Sequence, residues 1–97
     1  MTMNIKDLHT EDKAVSAKPL FKGEHSNATA IRILQGELLK EHITQIPALL
    51  VCIEGEATFE NENGRKETLR PGEYIAIEPM IKHWVTGVED SHLILFK

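Results

Sequence analysis

The stretch Gly36-Glu37-Leu38-Leu39-Lys40-Glu41-His42-Ile43-Thr44-Gln45-Ile46-Pro47-Ala48-Leu49-Leu50-Val51-Cys52-Ile53-Glu54-Gly55 decides how this chain is read. It is rich in Leu, Ile and Val without helical spacing, it is bounded by glycine, and Pro47 breaks it. It therefore reads as a strand over 38–44 followed by a long apolar run over 48–60. Gly55 interrupts that run, as at a bulge or a barrel bend. Alternate residues of a strand share a face. With His42 directed inward, Thr44 follows it and Ile43 points out. On the next strand Ala48, Leu50 and Cys52 share one face, and Leu49, Val51 and Ile53 share the other. Both faces are apolar, so one is expected to line an interior and the other to meet a second layer or another subunit.

Working outward, Asn63-Gly64 predicts a type I′ hairpin turn between strands 57–62 and 65–69. That register sets Glu62 opposite Arg65 and Glu60 opposite Glu67. Pro71-Gly72 suits the middle of a type II turn. Residues 74–77, 83–86 and 92–96 read as closing strands. Upstream, 28–35 reads as a strand, and 18–22, with Pro19, as an edge strand. Residues 1–13 form a loosely held polar arm ahead of a single domain over 14–97. Short strands with turn signals at close intervals predict an all-β sandwich or barrel. His83 and Val85 share a face opposite Trp84, which is expected in the core or at a subunit interface. The candidate lumen is thus His42, Thr44, Ala48, Leu50, Cys52, His83 and Val85.

Composition bounds the function. With 97 residues, 41% hydrophobic and 27% charged, the chain reads as one globular domain that hides only roughly 60 to 68% of its unfolded surface. No run approaches the ~18 apolar residues of a membrane span, and residues 1–10 lack the apolar core of a secretory signal. A cytoplasmic location without a membrane partner is the expectation. The lone Cys52 forms no internal disulfide and fits a reducing compartment. A net charge of −4 argues against broad nucleic-acid contact, which needs a basic face to displace counterions.

Gly36, His42 and Gly55, with Gly72 and His83 downstream, resemble the double signature of the cupin family. Its first motif runs glycine, five residues, His-x-His, three or four residues, glutamate, six residues, glycine. Its second runs glycine, five residues, Pro-x-Gly, two residues, histidine. The glycines and both His42 and His83 match. Thr44 and Ala48 stand where the family has its second histidine and its glutamate. Glu78 and Met80 replace the proline and glycine, with Pro79 one place late. The pattern His42, Thr44, Pro47, Ala48 is similar to that of small single-domain cupins. The resemblance implies a double-stranded β-helix, the jelly-roll barrel, with a pocket inside.

It also frames the chemistry. The family usually supplies four metal ligands and this chain supplies two, His42 and His83. A divalent transition metal (Zn, Fe, Mn or Ni) asks for a third ligand. Thr44 is a neutral hydroxyl, Ala48 has no donor, and Cys52 is the thiolate within the same face. The leading reading is a small-molecule-binding protein. A small anion, carbonyl compound or sugar-like ligand is held among His42, Thr44, Leu50, Cys52, His83 and Val85, with Thr44 as hydrogen-bond partner to the imidazoles. The alternative is a metal-dependent enzyme, an oxygenase or isomerase, with His42 and His83 as ligands. A third is a non-catalytic interaction module, because two apolar strand faces in so small a chain predict a homodimer. Cys52 is expected to be inert packing. Glu78 is the carboxylate placed to act as acid or base near the barrel mouth, and His9, His25 and His92 form no evident cluster.

Overall fold

Turn residues set the element boundaries, and alternation within each strand sets what faces inward. The computed structural model describes residues 1–97. A single 3₁₀ turn, Ile5–Leu8, precedes nine strands: β1 (Val15–Lys22), β2 (Asn27–Ile33), β3 (Leu38–His42), β4 (Ala48–Glu54), β5 (Ala57–Asn61), β6 (Lys66–Leu69), β7 (Tyr74–Ile77), β8 (His83–Gly87) and β9 (Ser91–Phe96). They form two antiparallel sheets, β1-β2-β9-β4-β7 and β3-β8-β5-β6. The expected all-β double-stranded β-helix is the architecture observed.

The core lies between the sheets. Ala48, Leu50 and Cys52 of β4 meet Ile75 and Ile77 of β7 and Leu93 and Leu95 of β9, and the other sheet contributes Ala57, Phe59, Leu69 and Val85. Removing a side chain of this kind from water contributes about 1.5–3 kcal/mol. The opposite parity of the five-stranded sheet, Leu49, Val51, Ile94 and Phe96, stays half-buried or exposed on its outer face. Trp84 likewise points outward from β8, half-buried, and its indole N–H donates to Glu60 Oε2 at 3.1 Å.

Two turns depart from the sequence reading or explain it. The β5–β6 hairpin pairs Glu60 with Lys66 and Phe59 with Glu67, one residue away from the expected register. Gly64 alone takes a positive φ, 86°, while Asn63 does not, so the turn is not type I′. Instead Glu62, Asn63 and Gly64 form a three-residue loop ending in a left-handed glycine. The Asn61 side-chain oxygen accepts from Asn63 N at 2.9 Å and Arg65 N at 3.1 Å, which fixes the longer loop. The expected like-charge pair of Glu60 with Glu67 is replaced by Glu60 opposite Lys66. At Gly55, φ is 86° and a Cβ would stand 2.3 Å from the Asp90 carbonyl oxygen. Only glycine admits this close crossing of chains at the barrel corner.

Met80, the residue standing at the family's glycine position, is the one non-glycine with a left-handed φ, 67°. Its N–H donates to the Thr44 carbonyl at 2.8 Å, tying the loop before β8 to the end of β3. The sheets are also tied along one edge, where Arg65 Nη1 donates to the Ala76 carbonyl of β7 at 3.1 Å. Along the other edge, β1 and β3 do not pair. A cleft of about 580 Å³ lined by Ala14, Val15 and residues 37–42 opens there.

Candidate functional site

A bulge aims the first histidine. Leu39 pairs with Val85 and His42 with His83, so β3 carries one residue more than β8 between these pairs. Without that extra residue Glu41 would oppose His83. With it the parity switches, and His42 comes in beside His83. The switch also leaves Leu39 against the core and Leu38 exposed.

The two imidazoles then meet directly. His42 Nε2 and His83 Nε2 are 2.9 Å apart, with ring centroids 4.1 Å apart in an edge-on arrangement. His83 is buried and stacks on Phe59 of β5, centroid to centroid 5.5 Å. His42 is half-buried and lines the cleft between β1 and β3. Each ring's other nitrogen faces a carbonyl: His42 Nδ1 lies 3.1 Å from Lys40 O and His83 Nδ1 lies 3.3 Å from Ile81 O. The 2.9 Å contact between the rings is a hydrogen bond, so one Nε2 carries a proton and donates while the other accepts. Two neutral rings thus hold two protons for three contacts, the third being the carbonyl that faces the donating ring's Nδ1. Burial, with the neighbouring His42 next in weight, lowers the pKa of His83, which keeps that ring neutral at neutral pH.

The remaining expected site residues separate. Thr44 is buried, but its hydroxyl has no partner. It bonds neither imidazole: the Nδ1 atoms face the carbonyls of Lys40 and Ile81, and the two Nε2 atoms face each other. Leu50, Cys52 and Val85 sit in the packed core. The Cys52 Sγ is directed toward the carbonyls of Glu54 and Gly55, and burial raises its thiol pKa, as inert packing requires. Glu78 is exposed. Phe59 was missed; its shared parity with Ala57 and Asn61 was the available signal. His9 and His92, expected to be unrelated, stand with ring centroids 5.7 Å apart on the outer face.

The donor set decides how far a metal fits. Two nitrogens about 2.1 Å from one ion and at right angles around it stand about 3 Å apart, close to the observed 2.9 Å. Nδ1–H donation to a carbonyl is also the usual support for a ligating histidine. No third His, Cys, Asp or Glu joins them. A resident metal site of the kind that holds its ion with three protein ligands does not fit these residues.

The fold, two antiparallel sheets closed around a core with this histidine pair at one edge, defines a cupin-type barrel. The cupin domain model matches residues 32–96, and the chain belongs to that family. No curated protein matches the chain. Among solved structures, it is similar to a conserved protein of unknown function from Streptococcus pyogenes, SPY1581 (TM-score 0.83, 15% identity, 99% of this chain and 84% of that one). It is also similar to an RmlC-like cupin with a double-stranded β-helix fold from Methanocaldococcus jannaschii (TM-score 0.76, 19% identity, 89% and 82% of the two chains). A third is the cupin domain of an XRE family transcriptional regulator from Enterobacter cloacae (TM-score 0.76, 21% identity, 87% and 95%).

Proposed function

We propose that this cupin binds a small hydroxyl-bearing molecule, sugar-like in its chemistry, at the His42–His83 pair, entering by the cleft between β1 and β3. One observation carries the reading: the His42–His83 pair makes three contacts, at 2.9, 3.1 and 3.3 Å, with only two ring protons to serve them. A group that both donates and accepts relieves that shortage. An O–H group of a ligand, donating to one Nε2 and accepting from the other, does so, and of the ligand classes open to such a pocket this favours the hydroxyl-rich one over a bare anion or a simple carbonyl. The cleft wall adds the apolar Ala14, Val15, Leu38 and Leu39 around the polar point, the usual composition of a small-molecule site. The role is that of a binding or sensing domain.

Thermal-shift measurements with a panel of small polyols, sugars and hydroxy acids test this. A ligand that raises the melting temperature of the natural protein is expected to lose its effect in His83→Ala and in His42→Ala. A shift of equal size in both variants overturns the site. Elemental analysis of untagged protein separates the metal-dependent alternative. A stoichiometric transition metal, absent from the double variant, replaces the ligand's hydroxyl with an ion.

A further inference from the structure

A second histidine cluster lies outside the barrel and takes no part in the reading above. Ser16, Arg32 and His92 stand side by side across β1, β2 and β9 on the outer face of the five-stranded sheet. The chain before β1 folds back over them. His9 Nδ1 and Ser16 Oγ are 2.8 Å apart. Arg32 donates to the carbonyls of His9 (3.3 Å), Glu11 (2.9 Å) and Lys13 (2.9 Å), so one guanidinium clamps three points of the arm. Lys6 adds an ion pair to Glu54 at 2.8 Å. Within this cluster His9 Nε2, His92 Nδ1 and Arg32 Nε are enclosed with no hydrogen-bond partner. Such unsatisfied buried groups are uncommon and mark a place where stability is held in reserve.

We propose that the His9–His92–Arg32 cluster is a proton-operated latch, closed over the outer sheet face while both rings are neutral and opened when either ring takes up a proton. An imidazolium at either position faces the Arg32 guanidinium across a region shut off from water. From the packed elements His9 faces His92, Arg32 and Lys18, all cationic when charged. His92 faces Lys6 and Arg32, opposed by Glu54 and Asp90. Those two carboxylates are already engaged, Glu54 by Lys6 and Asp90 by the Gln35 N–H at 2.8 Å. Burial is the first cause, and the neighbouring cations a further one, that hold both rings below the ordinary 6.5.

The sign follows from proton counting. The closed arm binds fewer protons than the open one, so the latch is fully closed above about pH 6.5 and is progressively lost as pH falls below it. Glu11, held down to about 2 by Lys13 and Lys18, takes up no proton in this range. Met3 to Lys6 already form one wall of a cleft of about 430 Å³ against Ile53, Glu54, His92 and Ile94. Opening removes that wall and exposes His92, which is buried while the arm is closed.

Amide hydrogen exchange on the full chain between pH 8 and 5 tests this, read as protection of residues 5–13. Protection is expected to fall below pH 6.5, by up to about ten-fold per pH unit for each proton gained, while β4 and β9 stay protected. His9→Gln and His92→Gln are each expected to flatten that dependence, and the double variant to remove it. Arm protection that is constant across the range, or an unchanged dependence in the double variant, overturns the latch. Proton NMR titration of the two rings in the natural protein gives an independent reading. Midpoints at or above 6.5 sink the proposal even if the variants fail to fold.

Discussion

Met80→Gly is expected to stabilise this barrel, and the size of the gain follows from one dihedral angle. Met80 holds φ at 67°, where a side chain crowds the following carbonyl at a cost of about 1–2 kcal/mol. Glycine removes that cost but loses more chain freedom on folding, about 0.5–1 kcal/mol. Little else is forfeited: the side chain is 65% exposed, and the N–H bond to the Thr44 carbonyl is kept in glycine. The net is about 0–1.5 kcal/mol of added stability, centred on about 0.75, which in a domain of this length raises Tm by about 3–6 °C at the centre of the range. Calorimetry of Met80→Gly beside Met80→Ala reads it. Alanine keeps the strained angle and is expected to melt within about 0.5 kcal/mol of the natural protein. A glycine variant that melts at or below the natural temperature refutes the reasoning, as does an alanine variant that gains as much as glycine.

The two other left-handed glycines in the argument separate strain from contact. Gly64→Ala meets nothing within 4 Å and is expected to lose only about 1 kcal/mol, read by urea unfolding. Gly55→Ala adds a methyl 2.3 Å from the Asp90 carbonyl oxygen and 2.7 Å from Ser91 Oγ. That clash brings its loss to about 3 kcal/mol or more, and equal losses at the two positions would refute the crossing described here. Thr44→Val replaces an enclosed, unpartnered hydroxyl by a methyl and is expected to leave stability unchanged or raise it by about 1 kcal/mol. A loss larger than that would mean the hydroxyl is bonded within the fold.

Much of the barrel was legible because its signals are local. Strand alternation placed Ala48, Leu50 and Cys52 on one buried face, and glycine spacing marked the corner at Gly55. The failures arose where a side chain or a distant strand overruled a local rule. Asn63-Gly64 carries the chemistry of a two-residue turn, yet Asn61, two places earlier, captures two N–H groups and lengthens the loop. The histidine convergence was legible from the family spacing, but the β3 bulge that produces it was not. Thr44 was matched to the imidazoles by residue type, whereas nearby carbonyls hold both rings. His9 and His92 lie 83 residues apart in the chain (92 less 9). The clamp of Arg32 on the arm, with the His9–Ser16 hydrogen bond and the Lys6–Glu54 ion pair, brings them together, and no spacing rule could have paired them.

The strand order has a consequence for synthesis. The last strand of the barrel to be synthesised, Ser91–Phe96, occupies the middle of the five-stranded sheet, between β2 and β4. Until it arrives, both of those strands hold a row of unpaired backbone groups, and the places of Leu93 and Leu95 in the core are empty. Bare strand edges beside exposed apolar side chains are the surfaces on which nascent chains associate wrongly. The barrel therefore closes only when this strand arrives, and a chain stalled before Ser91 is a sticky fragment rather than a smaller barrel.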